Sequence, residues 1–268
     1  MTDTATPILL LGAGRMGGAL IDGWKRTGAY SPADLILRDP HPGSDALAAA
    51  AAGAVLNPPD AALSGARTVL LSVKPQVWRE VAAAAAPLLA PDAVIVSIAA
   101  GVRAADIMEA FGGRRVARVM PTTAVAIAKG VASVFASDEA ARARAHALFD
   151  PVATAADLAD EGLMDAATAV SGSGPAYVYA FVEALEAAGE KAGLPADTAR
   201  SLARATVAGA AALMAETGTD PAELRRQVTS PAGTTEAALK VLMADDGLGP
   251  LLQKAVDAAI RRARELAG

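Results

Sequence analysis

The fold of this chain is decided by residues 8–17, which read Ile8-Leu9-Leu10-Leu11-Gly12-Ala13-Gly14-Arg15-Met16-Gly17. The four apolar residues predict a buried strand, and the rest is a G-x-G-x-x-G turn that leads into a helical pattern. In such a turn the first glycine permits a tight bend, the second lets the backbone approach a diphosphate, and the third lets helix and strand pack closely. The stretch therefore predicts a dinucleotide-binding turn, and a purely structural turn is the alternative.

Outward from this turn, up to about residue 157, short apolar runs alternate with stretches of helical length. The runs are residues 8–11, 35–37, 68–73, 93–98 and 115–120. They are largely apolar rather than alternating, which suits strands that are covered on both faces. The alternation predicts a parallel sheet with helical crossovers, so we expect an α/β, Rossmann-type domain over residues 1–160.

No strand run is evident after about residue 160, where the pattern becomes helical. We expect helices near residues 176–192, 197–216, 235–243 and 249–266. Gly193-Leu194-Pro195 and Gly218 are typical helix stops. Asp220-Pro221-Ala222-Glu223 reads as an N-cap, a proline at the first helical position and a capping-box partner. Residues 161–268 are therefore predicted to form an all-helical domain for substrate binding and dimerisation.

Composition excludes several classes of protein. The chain has no cysteine and only two histidines, His41 and His146, which excludes disulfides, thiolate catalysis, cysteine-ligated zinc and a histidine-rich metal site. A carboxylate-only metal site stays open, but we expect no metal. The formal net charge of -5 argues against a nucleic-acid partner.

Residues 81–102 are long and nearly apolar, which raises the question of a membrane span. Pro87, Pro91 and Asp92 interrupt the stretch, so we expect a helix end, a turn and a buried strand instead. The N-terminus lacks the basic and apolar segments of a signal peptide. A cytoplasmic protein without membrane partners is the expectation.

The residues at the end of the second predicted strand should determine whether NAD or NADP is preferred. Asp39 there suits a ribose 2′-hydroxyl, whereas Arg38 suits a 2′-phosphate. The two residues argue opposite ways, unless both are solvated loop residues. Forked guanidinium–phosphate pairing favours NADPH, with NADH as the alternative. Lys74, after a strand at the same edge of the sheet, is either a cofactor contact or an ordinary surface charge.

The chain shows no strong acid–base residue in a recognisable place. His41 lies beside prolines and His146 lies in a helix rich in alanine and arginine. The Tyr-x-x-x-Lys pair of short-chain dehydrogenases is absent after both Tyr177 and Tyr179. An imine substrate fits this gap. A protonated C=N carbon is already electrophilic, so the protein need mainly orient it against a nicotinamide.

Two hydroxyl-rich segments in the second half lead into helices. The first is Ser171-Gly172-Ser173-Gly174-Pro175-Ala176-Tyr177, for which a helix cap is the alternative interpretation. The second is Thr229-Ser230-Pro231-Ala232-Gly233-Thr234-Thr235-Glu236. Its glycine and hydroxyl groups place N–H and O–H donors at a helix start, which suits a small carboxylate.

Six segments occur in the order seen in pyrroline-5-carboxylate reductases, and the chain resembles that family over nearly its whole length. They are residues 12–17, 72–75, 99–102, 118–121, 171–177 and 230–235. The last two are the most specific. The resemblance implies NAD(P)H-dependent reduction of 1-pyrroline-5-carboxylate to L-proline. It also implies a homodimer, formed by the helical domain, that assembles further into a ring. Gly209 would suit a close helix contact between subunits, although a contact within one subunit explains it equally well.

The resemblance also implies roles for individual residues. Those expected to bind the cofactor are Gly12, Ala13, Gly14, Arg15, Met16, Gly17, Asn57, Val73, Lys74, Pro75, Ala99, Ala100 and Gly101, beside Arg38 named above. Those expected to bind the substrate are Ser173, Tyr177, Ser230, Gly233, Thr234 and Thr235. Thr235 is the catalytic candidate, because it would hydrogen-bond the ring nitrogen or relay a proton.

Three positions depart from the family pattern. Thr122 and Ala124 stand where the family usually has asparagine and proline, and Ala232 stands where it usually has glycine. Two rival functions also stay open. One is a β-hydroxyacid dehydrogenase or related imine reductase, although such enzymes generally place a lysine or acid where this chain has residues 171–177. The other is a non-catalytic sensor that binds NADPH and regulates a partner.

Overall fold

The structure is a computed structural model and describes residues 5–267. The chain divides into two compact units. The first, here called the sheet unit, runs up to Gly172 and includes the chain again from Ile260 onward. The second, the helical unit, is Ser173–Ala259. The domain boundary expected at residue 160 stays a prediction.

The sheet unit contains an eight-stranded sheet with the strand order β3-β2-β1-β4-β5-β6-β7-β8. The strands are β1 Ile8–Leu11, β2 Leu35–Arg38, β3 Val55–Leu56, β4 Thr68–Leu71, β5 Val94–Ser97, β6 Val116–Pro121, β7 Gly130–Ala136 and β8 Ala153–Asp157. Neighbouring strands are parallel except β6 and β7, which are antiparallel. The prediction of a mainly parallel, Rossmann-type sheet is confirmed.

Helices cover both faces of this sheet. They are α1 Arg15–Thr27, α2 Ser44–Ala51, α3 Trp78–Ala85, α4 Ala104–Ala110, α5 Glu139–Phe149 and the short α6 Met164–Ala167. Alternate residues of β1 belong to different core layers: Leu10 lies in a layer with Trp24, and Leu11 lies in the other layer with Trp78. A strand buried on both faces is apolar at most positions, which explains the nearly continuous apolar runs.

The five predicted strands are present, but three strands were not predicted. The prediction missed β3, β7 and β8, whose sequences are VL, GVASVFA and ATAAD. Residues 81–102 contain the end of α3, a 3-10 turn at Ala86–Leu88 and β5, as expected. In the part of the chain that is described, no helix is long and apolar enough to cross a membrane.

The second half contains α7 Gly174–Lys191, α8 Ala196–Thr217, α9 Pro221–Gln227, α10 Thr234–Leu242 and α11 Leu248–Ala267. The predicted helix stops are confirmed, since Gly193 and Gly218 have φ of 101° and 61°. Asp220 caps α9, with its Oδ1 accepting from the Ala222 N–H at 2.8 Å. The prediction that Glu223 completes a capping box is wrong, because its carboxylate accepts from Arg226 and Gln227 instead.

Candidate functional site

A cleft of about 680 Å³ lies at the carboxyl edge of the sheet, where the strand order reverses between β1 and β4. Ligands of open α/β sheets bind at such a point. The cleft brings together residues that follow β1, β2 and β4: Gly12, Gly14, Arg38, Asp39, Ser72, Val73 and Lys74. Its apolar wall consists of Leu63, Val77, Val81, Ala84, Ala85 and Leu88, which the sequence interpretation did not single out.

The three motif glycines have the geometry that a diphosphate turn requires. Gly12 has a φ of +92°, and a Cβ there would lie 2.8 Å from Val73 Cγ1. A Cβ on Gly17 would lie 2.7 Å from the Gly12 carbonyl oxygen, so helix and turn are in direct contact. A Cβ on Gly14, in contrast, would meet nothing within 4 Å. The backbone at Gly14 therefore faces open space, as the approach of a diphosphate demands.

Asp39 holds the glycine turn with its carboxylate. Its Oδ2 accepts from the Ala13 N–H at 2.7 Å, and its Oδ1 accepts from the His41 N–H at 2.7 Å. Both oxygens thus bind backbone groups of this chain. Each oxygen keeps a further acceptor site, so these bonds use part of the capacity that a ribose 2′-hydroxyl would need.

Arg38 lies at the rim of the cleft and keeps a partly exposed guanidinium. Its side chain is 39% exposed; Nη2 lies 2.7 Å from Asp60 Oδ1, and Nη1 donates to the Pro58 carbonyl at 3.2 Å. An exposed ion pair of this kind contributes little stability, so a phosphate can replace the carboxylate at low cost. Arg38 therefore has a guanidinium that a ligand in the cleft could reach.

Asn57 acts on the same edge of the cleft through the backbone. Its Oδ1 accepts from the Asp39 N–H at 3.0 Å, and its Nδ2 donates to the Asp39 carbonyl at 2.8 Å. Asn57 itself has a φ of 46°, a left-handed conformation that asparagine tolerates better than most residues. In this geometry its amide group positions Asp39.

The remaining residues expected at the cofactor lie nearby but do not line the cleft. Arg15 and Met16 form the start of α1, and Pro75 follows Lys74. Ala99, Ala100 and Gly101 follow β5 at the same edge of the sheet. Ser72 is fixed to the glycine turn, because its Oγ donates to the carbonyl oxygens of Leu11 and Gly12.

The predicted substrate turn lies in the helical unit at the start of α10. Gly233 is the N-cap, and its N–H donates to the Ser230 carbonyl at 3.1 Å. The Ala237 N–H donates to the Gly233 carbonyl, as the helical pattern requires. The N–H groups of Thr234 and Thr235 come before Ala237 in the chain and so lie in the first turn of α10. Such first-turn groups have no partner within their helix and suit an anion. The turn therefore has the donors that a small carboxylate needs.

Ala232 shows what its departure from the family pattern does to this turn. Its φ is 57°, in the left-handed region where glycine has no penalty and alanine does. The backbone has thus kept the conformation that glycine favours. The Ala232 N–H donates to Glu236 Oε2, which ties the turn to the first turn of α10.

The segment before α7 ends a π-helical turn, and Ser173 is the N-cap residue of α7. Residues Thr168–Gly172 form this turn, and Ser171 Oγ donates to the Ala167 carbonyl at 2.8 Å. Ser173 has helical φ and ψ of −87° and −22°, and its side chain makes no cap hydrogen bond. Tyr177 follows in α7 and is half-buried. Single π-helical turns occur frequently at functional sites, which favours the functional interpretation of residues 171–177.

Thr122 has a structural role in the sheet unit. It is 6% exposed, and its Oγ1 accepts from the Val131 N–H at 3.0 Å. Its own N–H donates to the Val131 carbonyl at 2.9 Å. The hydroxyl thus joins the end of β6 to β7. Among the described residues there is also no cluster of three or more histidine or acidic side chains that could hold a metal.

Two family models match parts of the chain. Residues 161–266 match the model for pyrroline-5-carboxylate reductase dimerisation. Residues 7–101 match the model named NADP oxidoreductase, coenzyme F420-dependent, which covers the glycine turn and the cleft. A pyrroline-5-carboxylate reductase from Pseudomonas aeruginosa is 42% identical to this chain, over 98% of each sequence. The chain belongs to the pyrroline-5-carboxylate reductase family.

Solved structures agree with this membership. The pyrroline-5-carboxylate reductase of Coxiella burnetii matches with a TM-score of 0.90 at 31% identity, over 99% of this chain and 100% of that one. A 3-hydroxyisobutyrate dehydrogenase from Mycobacterium tuberculosis gives a TM-score of 0.52 at 19% identity, over 98% of this chain and 96% of that one. The second match shows only a shared fold. The family assignment includes its dimerisation region and the use of NAD(P)H.

Proposed function

We propose that this protein reduces 1-pyrroline-5-carboxylate to L-proline with NADPH as the hydride donor. The observation that carries the proposal is the full-length similarity, at 42% identity, to a pyrroline-5-carboxylate reductase. The cleft beside the glycine turn supports it, because the backbone at Gly14 faces open space and the Arg38 guanidinium provides a positive charge at the cleft. No cysteine or histidine nucleophile is needed for this chemistry.

When bound, NADPH supplies a hydride. The imine carbon gains the hydride, and the electron pair of the C=N bond moves to the protonated ring nitrogen, which becomes the secondary amine of proline. The products are proline and NADP⁺, so atoms and electrons balance. The chain has to hold the ring in a reactive orientation, which is where most of the rate enhancement of such a reaction can arise.

Residues Ser230, Gly233, Thr234 and Thr235 would hold the substrate carboxylate and ring nitrogen. The first-turn N–H groups of α10 would bind the carboxylate, and the Thr235 hydroxyl would bind the ring nitrogen or relay its proton. Ser173 and Tyr177 would shape the pocket. Thr235 is half-buried, which suits a hydroxyl that must reach a ligand in partial shelter from water.

Thr235→Val tests this role because it removes the hydroxyl and keeps the shape. We expect kcat/KM for the imine to fall by ~10²-fold while the Kd for NADPH stays unchanged. Thr198→Val is the matched control, since Thr198 also lies in the first turn of a helix of the helical unit. Equal activity of the two variants would contradict the role and favour the sensor alternative.

The preference for NADPH over NADH rests on Arg38. Each carboxylate oxygen of Asp39 already accepts one backbone hydrogen bond, whereas the Arg38 guanidinium is 39% exposed and pairs with the exposed Asp60. Arg38→Ala should therefore raise KM for NADPH and leave KM for NADH unchanged. Arg67→Ala, which removes another exposed ion pair, is the control. Equal effects on the two cofactors would overturn the preference.

We also propose that the protein is a homodimer through its helical unit and that dimers assemble into a ring. The match of residues 161–266 to the family's dimerisation model supports the dimer. A Cβ on Gly209, in α8, would meet nothing within 4 Å in the single chain, which leaves room for a partner helix. Light scattering during gel filtration would measure the assembly. The cytoplasmic location stays a prediction.

The first experiment is steady-state oxidation of NADPH and of NADH with 1-pyrroline-5-carboxylate, with identification of the product. Proline as the product would establish the reaction, and the ratio of the two kcat/KM values would name the preferred cofactor. Dinucleotide binding without turnover would contradict the proposal and favour a related imine reductase or a sensor. Turnover of a β-hydroxyacid instead would favour the dehydrogenase alternative.

A further inference from the structure

Arg118 is a buried cation outside the cofactor cleft. It lies in β6, is 7% exposed, and donates from Nη1 to Glu161 Oε1. A guanidinium at this depth is costly unless its charge is paired. Glu161 supplies that pair from a turn, Glu161–Leu163, that directly precedes α6. Breaking this buried pair should therefore cost more stability than breaking an exposed ion pair.

The same carboxylate oxygen also caps α4. Glu161 Oε1 accepts from the Ala104 N–H, the first residue of that helix, at 2.7 Å. The N-cap residue of α4, Arg103, makes no cap hydrogen bond with its own side chain. A carboxylate at a helix start is favoured by the free N–H groups and the helix dipole. Glu161 thus fixes the position at which α4 begins.

The start of α4 determines where the preceding loop lies. This β5–α4 loop, residues 98–103, contains Ala99, Ala100 and Gly101. At its other end the Ile98 N–H donates to the Leu71 carbonyl at 3.0 Å, and the Ala99 N–H donates to Ser97 Oγ at 3.3 Å. The loop is therefore held at the sheet by β4 and β5 and at the helix by Glu161.

We propose that Arg118 and Glu161 are positioning residues, which hold the β5–α4 loop in place for the nicotinamide half of the cofactor. This inference rests on the proposed function: with the adenosine end at Arg38 in β2 and the diphosphate at the glycine turn after β1, the nicotinamide half would extend past β4 toward the loop after β5. Neither residue lines the cleft. The adenosine end, with Arg38, is held by a different part of the same edge. Loss of the pair should consequently affect hydride transfer while leaving the affinity for the adenosine end unchanged.

Two substitutions of Glu161 separate its two bonds. Glu161→Ala removes both, whereas Glu161→Gln keeps a carbonyl oxygen for the Ala104 N–H and loses the charge that pairs with Arg118. We expect Glu161→Ala to lower kcat by roughly tenfold to 10²-fold, as a small misplacement of reacting groups does. Glu161→Gln should lose less. The Kd for 2′,5′-ADP, the adenosine half of NADPH, should change by less than about twofold in both variants if the cleft itself stays intact.

The ratio of the Kd values for 2′,5′-ADP and NADPH, from titration calorimetry, provides a readout that needs no turnover. This ratio should fall in Glu161→Ala, because the nicotinamide half then contributes less affinity. Glu139→Ala is the control, since Glu139 forms an exposed ion pair with Arg142 at 3.0 Å. All measurements are made well below each variant's Tm, and Glu161→Gln serves if Glu161→Ala does not fold.

Three results would overturn the inference. One is a lower Tm with unchanged kcat and an unchanged Kd ratio, which indicates a purely structural pair. Another is a parallel loss of affinity for 2′,5′-ADP, which indicates collapse of the whole cleft. The third is a Glu161→Gln variant with wild-type kcat and a wild-type Kd ratio, since the charge pair with Arg118 would then be irrelevant to the loop. Absence of turnover in the wild-type protein would contradict the proposed function instead, and the Kd ratio would still test the positioning role.

Discussion

The sheet unit and the helical unit differ in how much apolar surface each buries by itself. In the sheet unit, large side chains such as Trp24, Phe111 and Phe149 are fully buried. Among residues 173–259, all of which the structure describes, only Ala199 and Ala203 are buried. Several large apolar residues there are exposed in the single chain: Val178, Tyr179, Phe181, Leu202, Leu213, Val228, Val241 and Leu251. The sheet unit completes its own core, whereas the helical unit has an apolar surface of the kind that subunits cover.

Two helix glycines show the same difference at single positions. A methyl group on Gly23, in α1, would overlap the Val125 carbonyl oxygen, so the reason for glycine lies within the chain. A methyl group on Gly209, in α8, would meet nothing within 4 Å. Glycine weakens a helix interior by about 1 kcal/mol relative to alanine. At Gly209 the single chain offers no packing reason for that cost, and the proposed partner helix supplies one.

The largest expected effect comes from placing a charge on the exposed apolar surface of α8. Leu213 is 51% exposed in the single chain, and Leu47 in α2 is 52% exposed. If a second copy covers α8, Leu213→Asp buries an unpaired charge, which costs several kcal/mol and should convert the dimer to a monomer. Leu47→Asp should stay within about 0.5 kcal/mol of wild type. Gel filtration would measure the oligomeric state of both variants, and thermal unfolding would measure their stability. If both variants kept the wild-type oligomeric state and Tm, the apolar surface of α8 would not be a subunit contact.

A smaller effect is expected from adding a methyl group at each helix glycine. Gly23→Ala should destabilise the protein by about 1–3 kcal/mol at every protein concentration, because the clash is internal. Gly209→Ala should weaken subunit association while stabilising the isolated chain by about 1 kcal/mol. Unfolding measured over a range of protein concentrations separates the two effects. A Gly209→Ala variant that is more stable and equally dimeric would show that no partner helix approaches this site.

The sequence predicted those elements whose residue pattern reflects burial on both faces. It predicted β1 with its observed bounds and the helix stop at Gly218. It missed β8 because three alanines and an aspartate carry little strand preference, and it missed β7 because Gly130, Ala132 and Ser133 interrupt its valines and phenylalanine. These two strands form through pairing with neighbours already in the sheet, which local pattern does not reveal.

The candidate site was predictable where one segment carries the chemistry, as in the glycine turn. It was not predictable where distant residues meet. Asp39 binds the Ala13 N–H across 26 positions of the chain, and Glu161 binds the Ala104 N–H across 57. The opposing indications of Arg38 and Asp39 were unresolved in the sequence for this reason, since only the fold shows that Asp39 already has backbone partners.

Left-handed alanines occur in both units and provide a matched pair of modest effects. Ala232, in the substrate turn, has a φ of 57°, and Ala128, in the sheet unit, has a φ of 56°. Substitution by glycine relieves a strain of about 1–2 kcal/mol and adds entropy to the unfolded chain, so each should stabilise by about 0.5–1 kcal/mol. Chemical denaturation would measure both. A gain for Ala128→Gly without one for Ala232→Gly would indicate that the turn in the helical unit relaxes around its alanine.

The smallest expected effect is a pH dependence that belongs to the sheet unit. His146, in α5, has Nδ1 2.9 Å from Asp150 Oδ1 and Nε2 3.3 Å from Asp157 Oδ2. Burial of the imidazole lowers its pKa, but the hydrogen bonds and charges of the two aspartates together raise the pKa above its usual value. A raised pKa in the folded state stabilises the protein fully below the unfolded pKa of about 6.5, and this stabilisation is lost as pH rises through the folded pKa.

His146→Gln should therefore lower Tm most at acidic pH, and the difference from wild type should shrink toward alkaline pH. A constant difference for His146→Gln would mean that the two aspartates do not favour the charged imidazole, and the sheet unit would then lack this pH-dependent contribution.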